Sequence, residues 1–162
     1  MTFSSADLVA RYHNTYRDQA RRYGYEPAAD QLGWACPIYV AQTDERAREE
    51  AGRAVETLFN DFLRQSFEML MPPGYTSMSS MKNFISMRGG LGSGKATAEG
   101  LIESGTALIG NPRTVLAAIE RMRERTGFGI LVALLQFGIL SDDLTRRNMD
   151  LFAAEIMPHL RE

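Results

Sequence analysis

Ile130-Leu-Val-Ala-Leu-Leu-Gln-Phe137 decides the fold class. The run is apolar without alternation and ends on a lone amide. It follows Gly127-Phe-Gly129 and precedes a capping Ser141-Asp142-Asp143. A strand that is apolar on both faces belongs to a parallel sheet covered on both sides. The chain upstream repeats the pattern: Trp34-Ala-Cys-Pro-Ile-Tyr-Val-Ala41 reads as a strand, and Gln42-Thr43-Asp44 opens a helix behind it. Pro37 has no N–H to donate, so this strand is expected to begin at or just after it. Strand alternating with helix gives βα units and an α/β fold.

The helices around these strands follow from caps and spacing. Ser4 or Ser5 starts a first helix carrying Leu8, Tyr12, Tyr16 and Tyr23 near one face, and Gly24 stops it. Ala47, Ala51, Val55, Leu58 and Phe62 mark one stripe of a second helix. Its limit is set only by Pro72-Pro73, so a helix from Asp44 to Met71 is expected, with a break or bend because of its length. Asn111-Pro112 starts a third, with Val115, Leu116, Ile119 and Met122 inward and Gly127 at its end. Thr106–Gly110 ahead of it is extended or loop. Leu144, Asn148, Leu151, Phe152 and Ile156 share a face of the last helix, which Pro158 ends.

Composition excludes several classes of function. The chain has 162 residues, 44% hydrophobic and 23% charged, with a formal net charge of −2. A nucleic-acid groove or a polybasic membrane anchor would be strongly basic. A single cysteine, Cys36, makes no internal disulfide and suits a reducing, cytoplasmic setting. No apolar run reaches the ~18 residues of a membrane span. His13 and His159 lie at opposite ends without helical-turn partners, so no metal site and no Cys–His or Ser–His–Asp arrangement is expected.

Residues 72–105 break the pattern, being rich in Gly, Ser and Met. Within them Gly89-x-x-x-x-Gly94-Lys95-Ala96 approaches a phosphate-binding P-loop. Ala96 stands where a magnesium-binding Ser or Thr is needed, and Met81–Arg88 does not read as the buried strand such a loop follows. A flexible glycine loop is the ordinary reading. The remaining site candidates are the carboxyl ends of the strands, where parallel α/β sheets bind ligands: Gln42-Thr43 and Gln136-Phe137-Gly138. Gln136 serves either a ligand or the loop that follows it. Gly110-Asn111-Pro112 offers a helix N-terminus, which can hold an anion or act as a structural turn.

Three stretches carry a resemblance. They are Leu108-Ile-Gly-Asn-Pro-Arg-Thr-Val115, Gly127-Phe-Gly-Ile-Leu-Val-Ala-Leu-Leu-Gln-Phe-Gly138 and Asn148-Met-Asp-Leu-Phe-Ala-Ala-Glu-Ile-Met-Pro-His-Leu-Arg161. They resemble the C-terminal portion of the bacterial luciferase-like flavin-dependent monooxygenases. Tyr39-Val-Ala-Gln-Thr-Asp-Glu-Arg-Ala47 looks like that family's seventh strand, and Tyr16–Gly24 like the helix before it. The resemblance implies a (β/α)8 barrel using reduced FMN, or in some relatives the deazaflavin F420, with O2 and a small apolar substrate of the long-chain aldehyde or terpene type. A whole barrel takes about 250 residues, so residues 1–162 correspond to its last two βα units, with 72–105 as a lid-like insert. The resemblance leaves no catalytic residue here, since neither histidine matches the family's. Its lid points to Lys82, Arg88 and Lys95 as flavin contacts, and the strand-end position adds Gln136 to them. The isolated chain is then catalytically incomplete and is completed by self-association as a homo-oligomer or by a partner supplying the other strands. The competing reading is a non-catalytic flavin-binding or assembly module reduced from such an enzyme.

Overall fold

The computed structural model describes residues 3–63, 74, 76–82 and 95–160. In chain order it contains α1 (Ala6–Arg22), β1 (Gly33–Val40), α2 (Asp44–Thr57), α3 (Ala98–Glu103), β2 (Leu108–Gly110), α4 (Pro112–Thr126), β3 (Ile130–Leu134) and α5 (Asp142–Glu155). The strands form one parallel sheet in the order β2-β1-β3. The fold is therefore mixed α/β, with three strands where the sequence shows two. β2 is too short to display a period, and its pairing with β1 is what makes it a strand: Ile38 lies opposite Leu108 and Val40 opposite Gly110.

Helix starts follow the caps. Ser5, Thr43, Asn111 and Ser141 each accept a backbone N–H of the first turn through their side chains. Gly24 and Gly127 adopt positive φ where α1 and α4 end. The second helix is shorter than its sequence limit. α2 gives way at Leu58–Phe62 to a wider π turn, closed by Leu63 N–H donating to Leu58 C=O at 2.9 Å. Asn60, in that turn, donates to the Ala96 carbonyl (2.9 Å) and accepts from the Ala96 N–H (2.8 Å). The wide turn thus presents an amide that holds the start of α3. The rest of the expected helix, 64–71, lies outside the described residues, as do residues 72, 73, 75 and 83–94 of the 72–105 stretch.

Pro37 does not begin β1; it lies inside it, opposite Leu134 of β3. The sheet tolerates this because alternate residues bond to opposite sides. Ala41 N–H donates to the Gly110 carbonyl on the β2 side. A period of two puts the Pro37 nitrogen on that same side, ahead of the point where β2 pairing starts. No ladder bond is lost there, and β1 pairs with β3 through Gly33–Pro37 and with β2 through Ile38–Val40.

The two faces differ. Trp34, Cys36, Ile38 and Val40 pack with Val9 of α1, Val115 and Ile119 of α4, and Phe152 of α5. On the opposite face Tyr39, Ala41 and Ile109 pack with Ala47, Ala51 and Val55 of α2, Leu101 of α3 and Phe137. That second cover stops short. Ile130 is 45% exposed and Val132 55%, and their register partners Gly33 and Ala35 are only partly buried. The sequence predicts β3 covered on both faces. It is apolar on both, partly covered on the Leu131–Ala133 face and exposed at Ile130 and Val132 on the other.

His13 of α1 is buried, and its Nδ1 has no hydrogen-bond partner. Burial lowers its pKa below the ordinary 6.5, and the Arg17 guanidinium adds to the effect; contact with the Gly33 and Thr126 backbone only partly offsets it. The unfolded chain then binds more protons than the folded one, so stability is full above about pH 6.5 and falls below it as acid protonates the unfolded chain ahead of the folded one, levelling off once the folded imidazole also takes up its proton. Thermal melts from pH 7.5 down to 5 should show this loss, with a slope of at most about 1.4 kcal/mol per pH unit for one proton. His13→Gln should flatten it; an unchanged slope would assign the loss to other groups.

Candidate functional site

At the carboxyl end of the sheet the helices after β1 and β3 diverge. α2 packs on one face and α5 on the other. A crevice opens where successive connections leave a parallel sheet in opposite directions, and such crevices are where open α/β sheets bind ligands. Here it is a cavity of ≈ 180 Å³ above Val40–Gln42, bounded by Glu50 of α2 and by Arg147, Asp150 and Leu151 of α5.

A polar cluster forms its wall. The buried Tyr39 hydroxyl donates to Glu50 Oε2 at 2.8 Å. Arg46 Nε donates to Glu50 Oε1 at 2.9 Å, and Arg147 Nη1 stands 3.6 Å from the same oxygen. Burial pushes the Glu50 carboxyl up, but hydrogen bonds from Arg46 and Tyr39 outweigh it and hold the pKa below the ordinary carboxylate range. Burial and the adjacent Glu50 carboxylate both raise the Tyr39 phenol, which stays protonated and donating. The sequence reading missed this group. Tyr39 looks like a core strand residue, and Glu50 is one charge among many on α2. The available signal was a phenol on a strand end followed by a glutamate one helix turn from the Ala47–Ala51 stripe.

The helix N-termini nearby are already filled. Asp44 accepts from the Asn111 N–H (2.7 Å) through Oδ1 and from the Thr114 hydroxyl (3.1 Å) through Oδ2. It therefore occupies the start of α4, and Gly110-Asn111-Pro112 is a structural turn. A Cβ on Gly110 would stand 2.8 Å from Asp44 Oδ1, so glycine is what admits that carboxylate. Glu56 likewise accepts from the Ala98 N–H at 2.9 Å, at the start of α3. The Ala96 amide that a P-loop would need is bonded to Asn60.

Lys82 and Lys95 are exposed and make no hydrogen bond or ion pair among the described residues. Arg88 lies outside the described residues. Gln136 is exposed and makes no hydrogen bond among the described residues, so none of them is tied by it to the loop after β3. Its neighbours tie that loop down: Asn148 Nδ2 donates to the Leu135 carbonyl (2.9 Å), Phe137 is buried in the core, and Gly138 packs on the Ala54 backbone. Gln136 is thus an amide held out from a fixed loop at the sheet's carboxyl edge. Among the described residues no group of acidic, His or Cys side chains could hold a metal, and no helix is long and apolar enough to cross a membrane.

No protein-family model matches the chain, and no curated protein matches it. Solved structures do. The monooxygenase RslO1 from Streptomyces bottropensis superposes with a TM-score of 0.63 over 95% of this chain and 38% of its own, at 22% identity. The oxygenating constituent of 3,6-diketocamphane monooxygenase, a type II Baeyer-Villiger enzyme from the CAM plasmid of Pseudomonas putida solved with FMN, gives 0.65 over 98% and 42%, at 19% identity. Apo-MsnO8 gives 0.50 over 90% and 40%, at 18% identity. The chain spans about two-fifths of the length of these structures, and at such identities the likeness is one of fold.

Proposed function

We propose that the chain forms the C-terminal βα units of a luciferase-like flavin-dependent monooxygenase barrel acting on a small apolar substrate with reduced FMN and O2. The observation that carries this is the uncovered face of β3. A strand apolar on both sides, with Ile130 and Val132 exposed where the cover of α2 and α3 stops short, has the character of a barrel stave whose remaining contacts lie on other strands. The partial span of the monooxygenase structures points the same way.

In this reading the flavin is held by side chains of the lid-like stretch and of the strand-end rim. Gln136 offers an amide at the strand-end rim, and Lys82 and Lys95 offer unengaged cations for a phosphate; Arg88 joins them in this reading. The filled N-termini of α3 and α4 leave that phosphate to side chains. When bound, reduced flavin supplies the activation of O2. The protein's part is to position the flavin and exclude water from the reacting centre.

In this reading the chain alone does not turn over. Supplied with reduced FMN, O2 and a long-chain aldehyde, it should give no carboxylic acid product. In size-exclusion chromatography it should elute as an oligomer, or as a complex when a polypeptide carrying the remaining strands is added, because an open edge and an apolar face favour pairing. Turnover by a compact, stable monomer would overturn the reading. Tight FMN binding with no turnover in the completed assembly would favour the non-catalytic module instead.

A further inference from the structure

We propose that the crevice between α2 and α5 binds a small carboxylate bearing a hydroxyl or amino group on the adjacent carbon. The inference stands apart from the flavin reading, because the crevice is framed by two helices and the end of β1, not by the uncovered face of the sheet. Its ≈ 180 Å³ is several times the ~30 Å³ share of a water molecule and suits a ligand of a few heavy atoms.

The partners are set by which groups are already engaged. Both Glu50 oxygens are taken, one by Tyr39 and one by Arg46. Arg147 Nη1 stands 3.6 Å from Glu50 Oε1, outside hydrogen-bond range, and its guanidinium is half exposed at the crevice mouth with donors to spare. A guanidinium fork matches a carboxylate. Asp150 lies three residues further along α5, lines the same crevice, and makes no hydrogen bond or ion pair among the described residues. It is an acceptor waiting for a donor, close to where Arg147 would hold the carboxylate, since positions three apart share a helix face. Gln42 adds an unbonded amide from the end of β1, and Leu151 an apolar wall. Arg46, Arg147, Glu50 and Asp150 together carry no net formal charge. A monocarboxylate with a donor beside it satisfies that set, whereas a phosphate dianion would face Asp150 and Glu50.

Calorimetric titration of the chain with lactate, acetate and inorganic phosphate tests this. Lactate should bind more tightly than acetate, and phosphate more weakly than either. Arg147→Gln should weaken lactate at least about tenfold, and Asp150→Asn should erase the preference for lactate over acetate. Thermal melts of both variants should stay close to that of the parent, because neither side chain is buried. Should Arg147→Gln lower the melt, Gln42→Leu, at an exposed position, provides the second reading and should also weaken lactate. Undetectable lactate binding, tighter binding of phosphate, or unchanged lactate affinity in folded Arg147→Gln or Gln42→Leu would overturn the proposal.

Discussion

Asn148→Leu should leave the chain largely unfolded at 37 °C, the largest loss expected from any single side chain in α5. Asn148 is fully buried and its amide does the work of a missing strand. β3 ends at Leu134, whereas β1 runs on to Val40. The backbone groups of β1 that face the β3 side beyond that point would be unpaired. Asn148 Oδ1 accepts from the Val40 N–H at 2.8 Å, and its Nδ2 donates to the Ile38 carbonyl at 2.8 Å and to the Leu135 carbonyl at 2.9 Å. Leucine matches the amide in side-chain heavy atoms but is bulkier, so part of the loss comes from overpacking. Two buried backbone groups left without partners, the Val40 N–H and the Ile38 carbonyl, cost about 1–3 kcal/mol each, and the part-buried Leu135 carbonyl costs less. The sum, at least about 2–6 kcal/mol, reaches the lower part of the whole ~5–15 kcal/mol stability of a domain. Asn148→Asp is the sharper control. A carboxylate can still accept from Val40 but cannot donate to the two carbonyls, so it should be nearly as damaging at neutral pH and partly recover on acidification, when a protonated oxygen can donate once. Urea denaturation followed by circular dichroism measures both variants against the parent; Asn148→Leu within about 1 kcal/mol of the parent would show that water replaces the amide there.

Asn148 also shows where sequence reading ran short. On the helical face Leu144, Asn148, Leu151, Phe152 and Ile156 it counts as one more inward residue, and only three-dimensional placement reveals the backbone it serves. Local signals were legible: the caps at Ser5, Thr43, Asn111 and Ser141 and the stops at Gly24 and Gly127 each depend on a few neighbouring residues. Features that depend on partners distant in sequence were not. β2 exists because β1 lies beside it, and Pro37 is tolerated because β2 begins one residue later. β3 was expected to be buried on both faces because composition reports what a strand is able to bury, not what is there to bury it. The candidate site divides the same way. The strand-end position of Gln136 was legible from its place after an apolar run. The Tyr39–Glu50–Arg147 group was not, since its members lie on β1, α2 and α5 and none is unusual alone.

Gly138→Ala should be nearly as costly as the loss of Asn148, and for a different physical reason. Two glycines with positive φ separate the causes. Gly24 has φ +85° and nothing within 4 Å of an added Cβ. Gly24→Ala there should cost only the backbone penalty, about 1 kcal/mol. Gly138 has φ +55°, and its Cβ would overlap the Ala54 carbonyl oxygen and stand 2.8 Å from the Ala54 carbonyl carbon. Those are backbone atoms inside α2, which no rotamer change can move aside. Either the loop after β3 lifts or α2 shifts, and in both cases Phe137 and Leu140 leave the core they share with Val55 and Leu58. The expected loss is at least about 3 kcal/mol, in the range of large core truncations. The functional consequence follows from the same contact. Gly138 on one side and the Asn148-bound Leu135 carbonyl on the other fix the backbone that carries Gln136. Hydrogen exchange should therefore show faster opening of residues 135–140 in Gly138→Ala, with the amides of α1 unchanged if the damage stays local. Equal destabilisation by Gly24→Ala and Gly138→Ala would mean that φ strain alone sets the cost and that the close approach to Ala54 is relieved without loss.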